Sequence, residues 1–403
     1  MIPQGRHPAR RLAWVVLVAG LVAGCGGPIL ANAPAVQRAS APPTTAAPIP
    51  HDPQPIAFPA DDGPHDRLTE WWYYTGHLRD EAGDWYGFEF VVFRAERGGF
   101  PVTWASHLAL TDETGGSFHY AQRSEIGPQV DRSPTDDGQP AGFDLSLAGP
   151  VAGAGTTSGP SAAPAPGPAW AMSGGGGHDH LSASLGPAEA TRAGASFGLD
   201  LTLSGGAAVL HGGDGWVDFG PAGGSYYYSR PRMPATGTLV IGGRSHRVTG
   251  EAWFDHQWGD FIAVGGGGWD WFAVNLDDGT DLTLSVVRGT DGKPVLVYGT
   301  LRRADQTVVR LAADAFRVTA SGHWTSPHTG ATYPAGWRIE VPGEELAIDL
   351  SPTVADQELD TRSTSGVAYW EGSQVVRARR AGRPLAGQAY VELTGYARVN
   401  AAP

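Results

Sequence analysis

The feature that most restricts this chain is its hydrophobic period, which is two rather than 3.6. In Phe143-Asp144-Leu145-Ser146-Leu147, Leu199-Asp200-Leu201-Thr202-Leu203 and Leu282-Thr283-Leu284-Ser285-Val286, apolar and polar residues alternate, as on a strand with one buried and one wet face. Asp214-Gly215, Asp278-Gly279 and Asp291-Gly292 punctuate such runs, and Asp-Gly pairs supply the positive φ that tight hairpin turns demand. No long window has the spacing of an amphipathic helix, and the one candidate lies at residues 352–359. The expectation is an all-β chain of many short antiparallel strands.

Composition narrows this further. With 58 Gly, 32 Pro, 41% hydrophobic and 17% charged residues, the chain is globular and rich in turns, neither disordered throughout nor a coiled coil. Its 28 Lys+Arg against 41 Asp+Glu leave a formal charge of −13, which argues against a nucleic-acid partner. A length of 403 residues exceeds what one core usually organises, so two domains are expected, at residues 55–245 and 246–403. A single cysteine leaves no internal disulfide.

That cysteine has a telling position. Arg6, Arg10 and Arg11 precede a short apolar run at residues 12–24, the layout of a cleaved signal peptide. Val22-Ala23-Gly24-Cys25 resembles a bacterial lipobox, which implies that Cys25 is lipidated and becomes the mature N-terminus. Residues 26–54 are mainly Pro, Ala, Ser and Thr and cannot bury a core, so they read as a tether that holds the folded body off the membrane. The expected location is the bacterial cell envelope, facing the periplasm or the exterior. Residues 149–177 are again Gly, Ala, Ser and Pro and read as a flexible insertion in the first domain.

The two halves echo each other. Trp71-Trp72 leads through Gly76-His77-Leu78 and Gly83 to Val91-Val92-Phe93-Arg94, and Trp269-Asp270-Trp271 leads through Asn275-Leu276 and Gly279 to Val286-Val287-Arg288. A repeated barrel is the simplest reading, because closing a sheet removes its edges and encloses space for one small ligand.

Three segments carry a family resemblance: Glu70-Trp71-Trp72-Tyr73-Tyr74-Thr75-Gly76-His77-Leu78; Gly250-Glu251-Ala252-Trp253-Phe254-Asp255-His256-Gln257-Trp258-Gly259; and Tyr369-Trp370-Glu371-Gly372 with the run from Gly387 to Tyr396. Together they resemble the AttH and carotenoid 1,2-hydratase-like family, often labelled predicted secreted hydrolases. The resemblance implies two lipocalin-like antiparallel β-barrels packed together. It also implies a chemistry, in which a carboxylic acid among aromatic rings protonates an alkene and water captures the cation. Asp255 takes the acid's position, with Trp253, Tyr226 and Tyr228 as ring faces for the cation. Where the hydratases carry His and Trp two apart, the corresponding positions here are read as Tyr226 and Tyr228, and tyrosine does not shuttle protons near pH 7 as imidazole does.

The residues themselves allow more than one outcome. Trp72, His256 and Trp258 join rings to polar groups as a pocket for an apolar ligand would, yet the same rings could be plain core. Asp255 and His256 could equally fix a strand end at the domain junction. His107, on the strand face opposite Trp104, Leu108 and Leu110, is either a polar ligand anchor or a satisfied interior histidine. His178-Asp179-His180 has the spacing of two metal ligands but lies in the glycine-rich insertion, so a solvated loop and no metal are expected. Gly194-Ala195-Ser196-Phe197-Gly198 matches the nucleophile-elbow pattern by chance, since a strand rather than a helix follows it.

Three functions stay open: a noncatalytic binder of an apolar, isoprenoid- or lipid-like molecule; a hydratase-like enzyme using Asp255 as acid; and a structural envelope lipoprotein. No cofactor is expected.

Overall fold

A computed structural model describes residues 52–136, 138–149, 168–261 and 266–397. The signal segment, Cys25 and nearly all of the tether lie outside these residues.

The alternating segments form two large antiparallel sheets, each curled into a nearly closed barrel. The main strands of the first are β1 (Thr69–Asp80), β2 (Trp85–Ala95), β3 (Thr103–Asp112), β4 (Ser117–Ile126), β5 (Phe143–Leu147), β6 (Trp170–Gly174), β7 (His178–Ser184), β8 (Phe197–Ser204), β9 (Gly224–Ile241) and β10 (Arg244–Gly259), in the spatial order 4-3-2-1-10-9-8-7-6-5. The second has β11 (Gly266–Leu276), β12 (Asp281–Gly289), β13 (Pro294–Arg302), β14 (Val308–Leu311), β15 (Arg317–Ala320), β16 (Trp337–Val341), β17 (Leu346–Pro352), β18 (Ala368–Arg380) and β19 (Gly387–Thr394), in the order 14-13-12-11-19-18-17-16-15. The winding is the same in both: four strands meander away, and the last strand returns to pair with the first. The sequence echo therefore marks equivalent hairpins, β1–β2 and β11–β12. Gly279 and Gly292 adopt φ of +85° and +77°, as their Asp-Gly turns require.

Several details differ from the sequence reading. Residues 246–259 belong to the first sheet, because β10 pairs with both β1 and β9; the sheets divide after Gly259 rather than at 245. Part of the glycine-rich insertion is ordered as β6, while residues 150–167 lie outside the described residues. His178-Asp179-His180 opens β7 rather than a loop: both histidines are exposed, and Asp179 is buried and accepts a hydrogen bond from the Tyr74 hydroxyl at 2.9 Å. Residues 358–360 form a short strand where a helix was the candidate. The only α-helix among the described residues, Pro187–Ala193, ends at Gly194 in the left-handed conformation. The Gly-x-Ser-x-Gly segment thus follows a helix and runs into β8, the reverse of a nucleophile elbow.

The first barrel is filled by its own rings. Tyr74 stacks on Phe254 at 4.5 Å, Trp72 on His256 at 4.7 Å and Tyr226 on Trp258 at 5.3 Å. A 3-10 turn, Ala60–Asp62, caps the stack: Asp62 is buried, takes the Tyr228 hydroxyl on Oδ1 at 2.5 Å and the Gly176 N–H on Oδ2 at 2.8 Å, and its carbonyl accepts from Trp72 Nε1 at 3.1 Å. The expected ligand space inside the barrel is therefore occupied. An open cleft lies between the barrels, where their outward faces meet over Tyr73, Val91, Trp253, Trp271, Ala273 and Tyr390.

Candidate active site

Strand parity decides which side chains reach the junction. On β10 the even positions Phe254, His256 and Trp258 enter the barrel core, so Trp253, Asp255 and Gln257 point outward. The register pairs Ser229 with Asp255 and Tyr227 with Gln257 across β9, and Tyr73 with Asp255 across β1. Asp255, Tyr227 and Tyr73 thereby share one outward face. Opposite them stand Trp269 and Trp271 of β11, Tyr369 of β18 and Glu392 of β19.

These groups border a cleft of about 80 Å³ whose walls include the rings of Trp71, Tyr73, Phe93, Trp269 and Trp271. Asp255 sits in the wall and is 3% exposed. Its Oδ1 accepts from Trp253 Nε1 at 2.6 Å and from the Ser229 hydroxyl, and its Oδ2 accepts from the Tyr227 hydroxyl at 2.5 Å. Trp271 Nε1 of the second barrel donates to Tyr227 Oη at 3.0 Å. Burial outweighs these donors and raises the Asp255 pKa to about 6. Such a carboxyl is protonated for part of the population near neutral pH and is acidic enough to give the proton up.

More carboxyl groups line the same junction. Burial raises Glu392 to about 7, although Trp269 Nε1 donates to it at 3.1 Å. Burial likewise raises Glu89 to about 8, with the Tyr369 hydroxyl donating at 2.7 Å. Glu371, which takes the Tyr73 hydroxyl at 2.8 Å, is pushed well above the usual carboxylate range by burial and by the charges of Glu89 and Glu392. The site is thus an aromatic cleft edged by acids that favour their neutral form.

The residues singled out from sequence separate into two groups. Asp255 is in the cleft wall, and Trp253 serves it as a hydrogen-bond donor, its ring lying edge-on to Trp271 at 6.1 Å. Tyr226 and Tyr228 turn the other way, into the first barrel, with their hydroxyls on Asp52 and Asp62. Tyr227 and Ser229 occupy the places beside Asp255 that had been assigned to them. Trp72, His256 and Trp258 belong to the barrel core rather than the cleft. His107 faces the junction but does not border the cleft; it is fully buried, bonded to Tyr369 Oη at 2.7 Å and Thr364 Oγ1 at 3.1 Å, and burial lowers its pKa to about 3. It is the satisfied histidine of the two readings.

His256 belongs to a separate polar group. Glu70 Oε1 accepts from His65 Nδ1 at 2.7 Å and His256 Nε2 at 2.9 Å, and Oε2 accepts from the His65 backbone N–H at 3.0 Å. His65, Glu70 and His256 are close enough to be tested as metal ligands. Every converging atom is already engaged in a hydrogen bond, however. Burial lowers His65, but the Glu70 charge with its bonds to Asp61 and Glu70 prevails and raises its pKa, while Glu70 falls to about 2 despite its burial. An imidazolium–carboxylate pair describes this group.

Fold and site together define a class: a double β-barrel protein of lipocalin type, with an acid-bearing aromatic cleft where its halves meet. Within that class the chain belongs to the AttH-like family, whose profile matches residues 49–396. Among solved structures it is similar to an AttH-assigned protein of Nitrosomonas europaea, at 29% identity and TM-score 0.67 over 85% of this chain and 98% of that one. It is also similar in fold to kievitone hydratase of Nectria haematococca, at 16% identity and TM-score 0.61 over 86% and 94% of the two chains. A comparison with curated proteins finds no match.

Proposed function

We propose that this protein is an acid catalyst of the cell envelope, anchored through Cys25, that adds water to an alkene of an apolar, isoprenoid-like small molecule. The observation that carries the reading is Asp255: a buried carboxyl with a pKa of about 6, fixed by three donors in the wall of an aromatic cleft. A volume of about 80 Å³ is well below the 300 Å³ or more of a pocket that swallows a whole ligand. It suits the reacting tip of a longer molecule whose remainder lies outside.

The residues support a balanced cycle. The Asp255 proton forms a C–H bond at the less substituted alkene carbon, leaving a carbocation at its neighbour. The faces of Trp71, Trp269 and Trp271 stabilise that charge. A water oxygen bonds to the cation and its surplus proton returns to the Asp255 carboxylate, restoring the acid. The kievitone hydratase of similar fold supports this reading without identifying a substrate.

A noncatalytic carrier is the second reading, favoured by the apolar walls alone. One experiment separates the two. The full chain is purified from its own membrane extract, co-purifying molecules are identified by native mass spectrometry, and that compound is offered to wild type and to Asp255→Asn. The catalyst reading expects hydration by wild type and a loss of 100-fold or more in the variant, as for removal of a general acid. Retained binding with no turnover by either protein would establish the carrier. An empty protein that binds no apolar dye would favour the structural lipoprotein, which the filled first barrel otherwise resembles.

A further inference from the structure

Behind Asp255 lies a histidine that sequence reading passed over. His211 follows the short strand Val209–Leu210 and is fully buried. Its Nε2 is 2.6 Å from Ser229 Oγ, whose hydroxyl is bonded in turn to Asp255 Oδ1. Its Nδ1 is 2.9 Å from Thr300 Oγ1 on β13 of the second barrel. The ring lies against Tyr227 with centroids 4.0 Å apart. A single chain, Thr300–His211–Ser229–Asp255, therefore runs from the second barrel to the candidate acid.

Hydrogen counting fixes its direction. A hydroxyl has one hydrogen, and a carboxylate oxygen only accepts. With Asp255 ionised, Ser229 must give its hydrogen to Oδ1, so His211 must offer Nε2–H to Ser229 and accept at Nδ1 from the Thr300 hydroxyl. Trp253 Nε1, which only donates, also points at Oδ1. While Asp255 is ionised Oδ1 is thus filled by two donors, so a proton arriving on the carboxylate has its place on Oδ2, beside Tyr227 and the cleft. His211 is not itself the proton store: burial holds its pKa at about 3, well below that of Asp255 at about 6.

We infer that His211 is a positioning residue for Asp255, which acts through the Ser229 hydroxyl to hold Oδ1 as the accepting oxygen and to place the acidic proton on Oδ2. The inference rests on Asp255 being the acid for its catalytic meaning, though not for its structural content. The other titratable groups facing this pair are Tyr73 of β1, Tyr227 of β9, Tyr298 of β13, Glu371 of β18 and Glu392 of β19.

The test needs no substrate. Infrared difference spectra of the full chain between pH 4 and 9 contain the carbonyl band of the protonated Asp255 carboxyl, identified by its loss in Asp255→Asn. In His211→Phe, Ser229 is no longer held as a donor, so the ionised carboxyl loses support and the midpoint of the band should rise by about one unit. Thr300→Val, which frees the His211 tautomer while leaving the ring in place, should move it the same way and serves if His211→Phe does not fold. His211→Gln, whose amide can still donate, should restore the wild-type midpoint. In a Ser229→Ala background the His211→Phe change should have no further effect, since its intermediary is gone.

A folded His211→Phe or Thr300→Val protein with an unmoved midpoint would overturn the inference. So would a shift of equal size in the Ser229→Ala background. The proposed function fails separately: if Asp255→Asn turned over the co-purified compound at the wild-type rate, Asp255 would not be the acid, whatever the midpoints did.

Discussion

At the scale of single residues the burial of Asp255 makes a signed prediction about pH. Its folded pKa of about 6 lies above the 3.8 of a free carboxyl, so the folded state holds the proton more tightly than the unfolded one. Its contribution to stability is then full below pH 3.8, is lost as pH rises through about 6, and amounts to roughly 3 kcal/mol. Asp255→Asn keeps an acceptor for Ser229 and Trp253 without the charge, so urea midpoints between pH 5 and 7.5 should fall less with pH in the variant than in wild type. Identical slopes would mean that Asp255 does not titrate in this window. The three consecutive tyrosines give a second, sharper contrast. Tyr227→Phe removes the donor on Asp255 Oδ2 and should raise the Asp255 midpoint and lower turnover by ten-fold or more, with little unfolding. Tyr228→Phe strips a partner from the buried Asp62 in the barrel cap and should cost about 1–3 kcal/mol of stability while leaving the Asp255 midpoint unmoved. Infrared titration and urea denaturation of the pair decide it: equal effects on Asp255 would refute the parity that assigns one ring to the cleft and the other to the core.

At the scale of strands it becomes clear why the fold was legible in the sequence and the site only half so. Phe143–Leu147 and Phe197–Ser204 each have one wet face, and their alternation announces a strand and its orientation at once. Residues 224–231 of β9 are buried on both faces, because one side fills the barrel and the other meets the second domain. With no polar face, nothing local says whether Tyr226 and Tyr228 or Tyr227 and Ser229 stand beside Asp255. The answer depends on register, and register depends on a bulge between Arg230 and Met233, where β9 carries one residue more than β10. Pro231 sits there, its missing N–H harmless outside the ladder and its carbonyl accepting from Asn275 Nδ2 of the second barrel at 2.8 Å. His211 left no sequence signal for a related reason, since its partners Ser229 and Thr300 lie 18 and 89 residues away. Deleting Pro231 should remove the bulge while Arg230 stays opposite Phe254 and Met233 opposite Ala252, so both halves of β9 keep their faces and only the contact to Asn275 is lost. The expected result is a cooperative urea transition at a lower midpoint with the near-ultraviolet circular dichroism of the buried rings retained. A deletion variant that loses both would show that the extra residue is needed to hold the two faces.

At the scale of the whole molecule the site exists only because two similar barrels meet face to face, and they meet through acids rather than ion pairs at the cleft. Tyr73 of the first barrel donates to Glu371 of the second, and Tyr369 of the second donates to Glu89 of the first. Each carboxyl keeps its Oε2 buried without a hydrogen-bond partner among the described residues. A buried oxygen of this kind is tolerable in a neutral acid and costly in a carboxylate. Farther out the domains are tied by charge, with Arg232 of β9 donating to the buried Asp281 at 2.7 Å. The junction should therefore loosen first at its acidic centre. Glu89 is raised from 4.5 to about 8, so its support for the closed form is full below pH 4.5 and is lost as pH rises through about 8. Above that, charge on Glu89 is held against Glu392 of the second barrel, which burial raises only to about 7, and the two sheets repel across the cleft. Acrylamide quenching of the junction tryptophans, Trp71, Trp253, Trp269 and Trp271, should increase between pH 7 and 9.5 with a midpoint near 8. Glu89→Gln keeps an acceptor for Tyr369 but cannot ionise, so its quenching should stay low over that range. A wild-type protein whose quenching is flat to pH 9.5, or a Glu89→Gln protein that opens at the same midpoint, would rule out the acid pair as the element that holds the cleft closed.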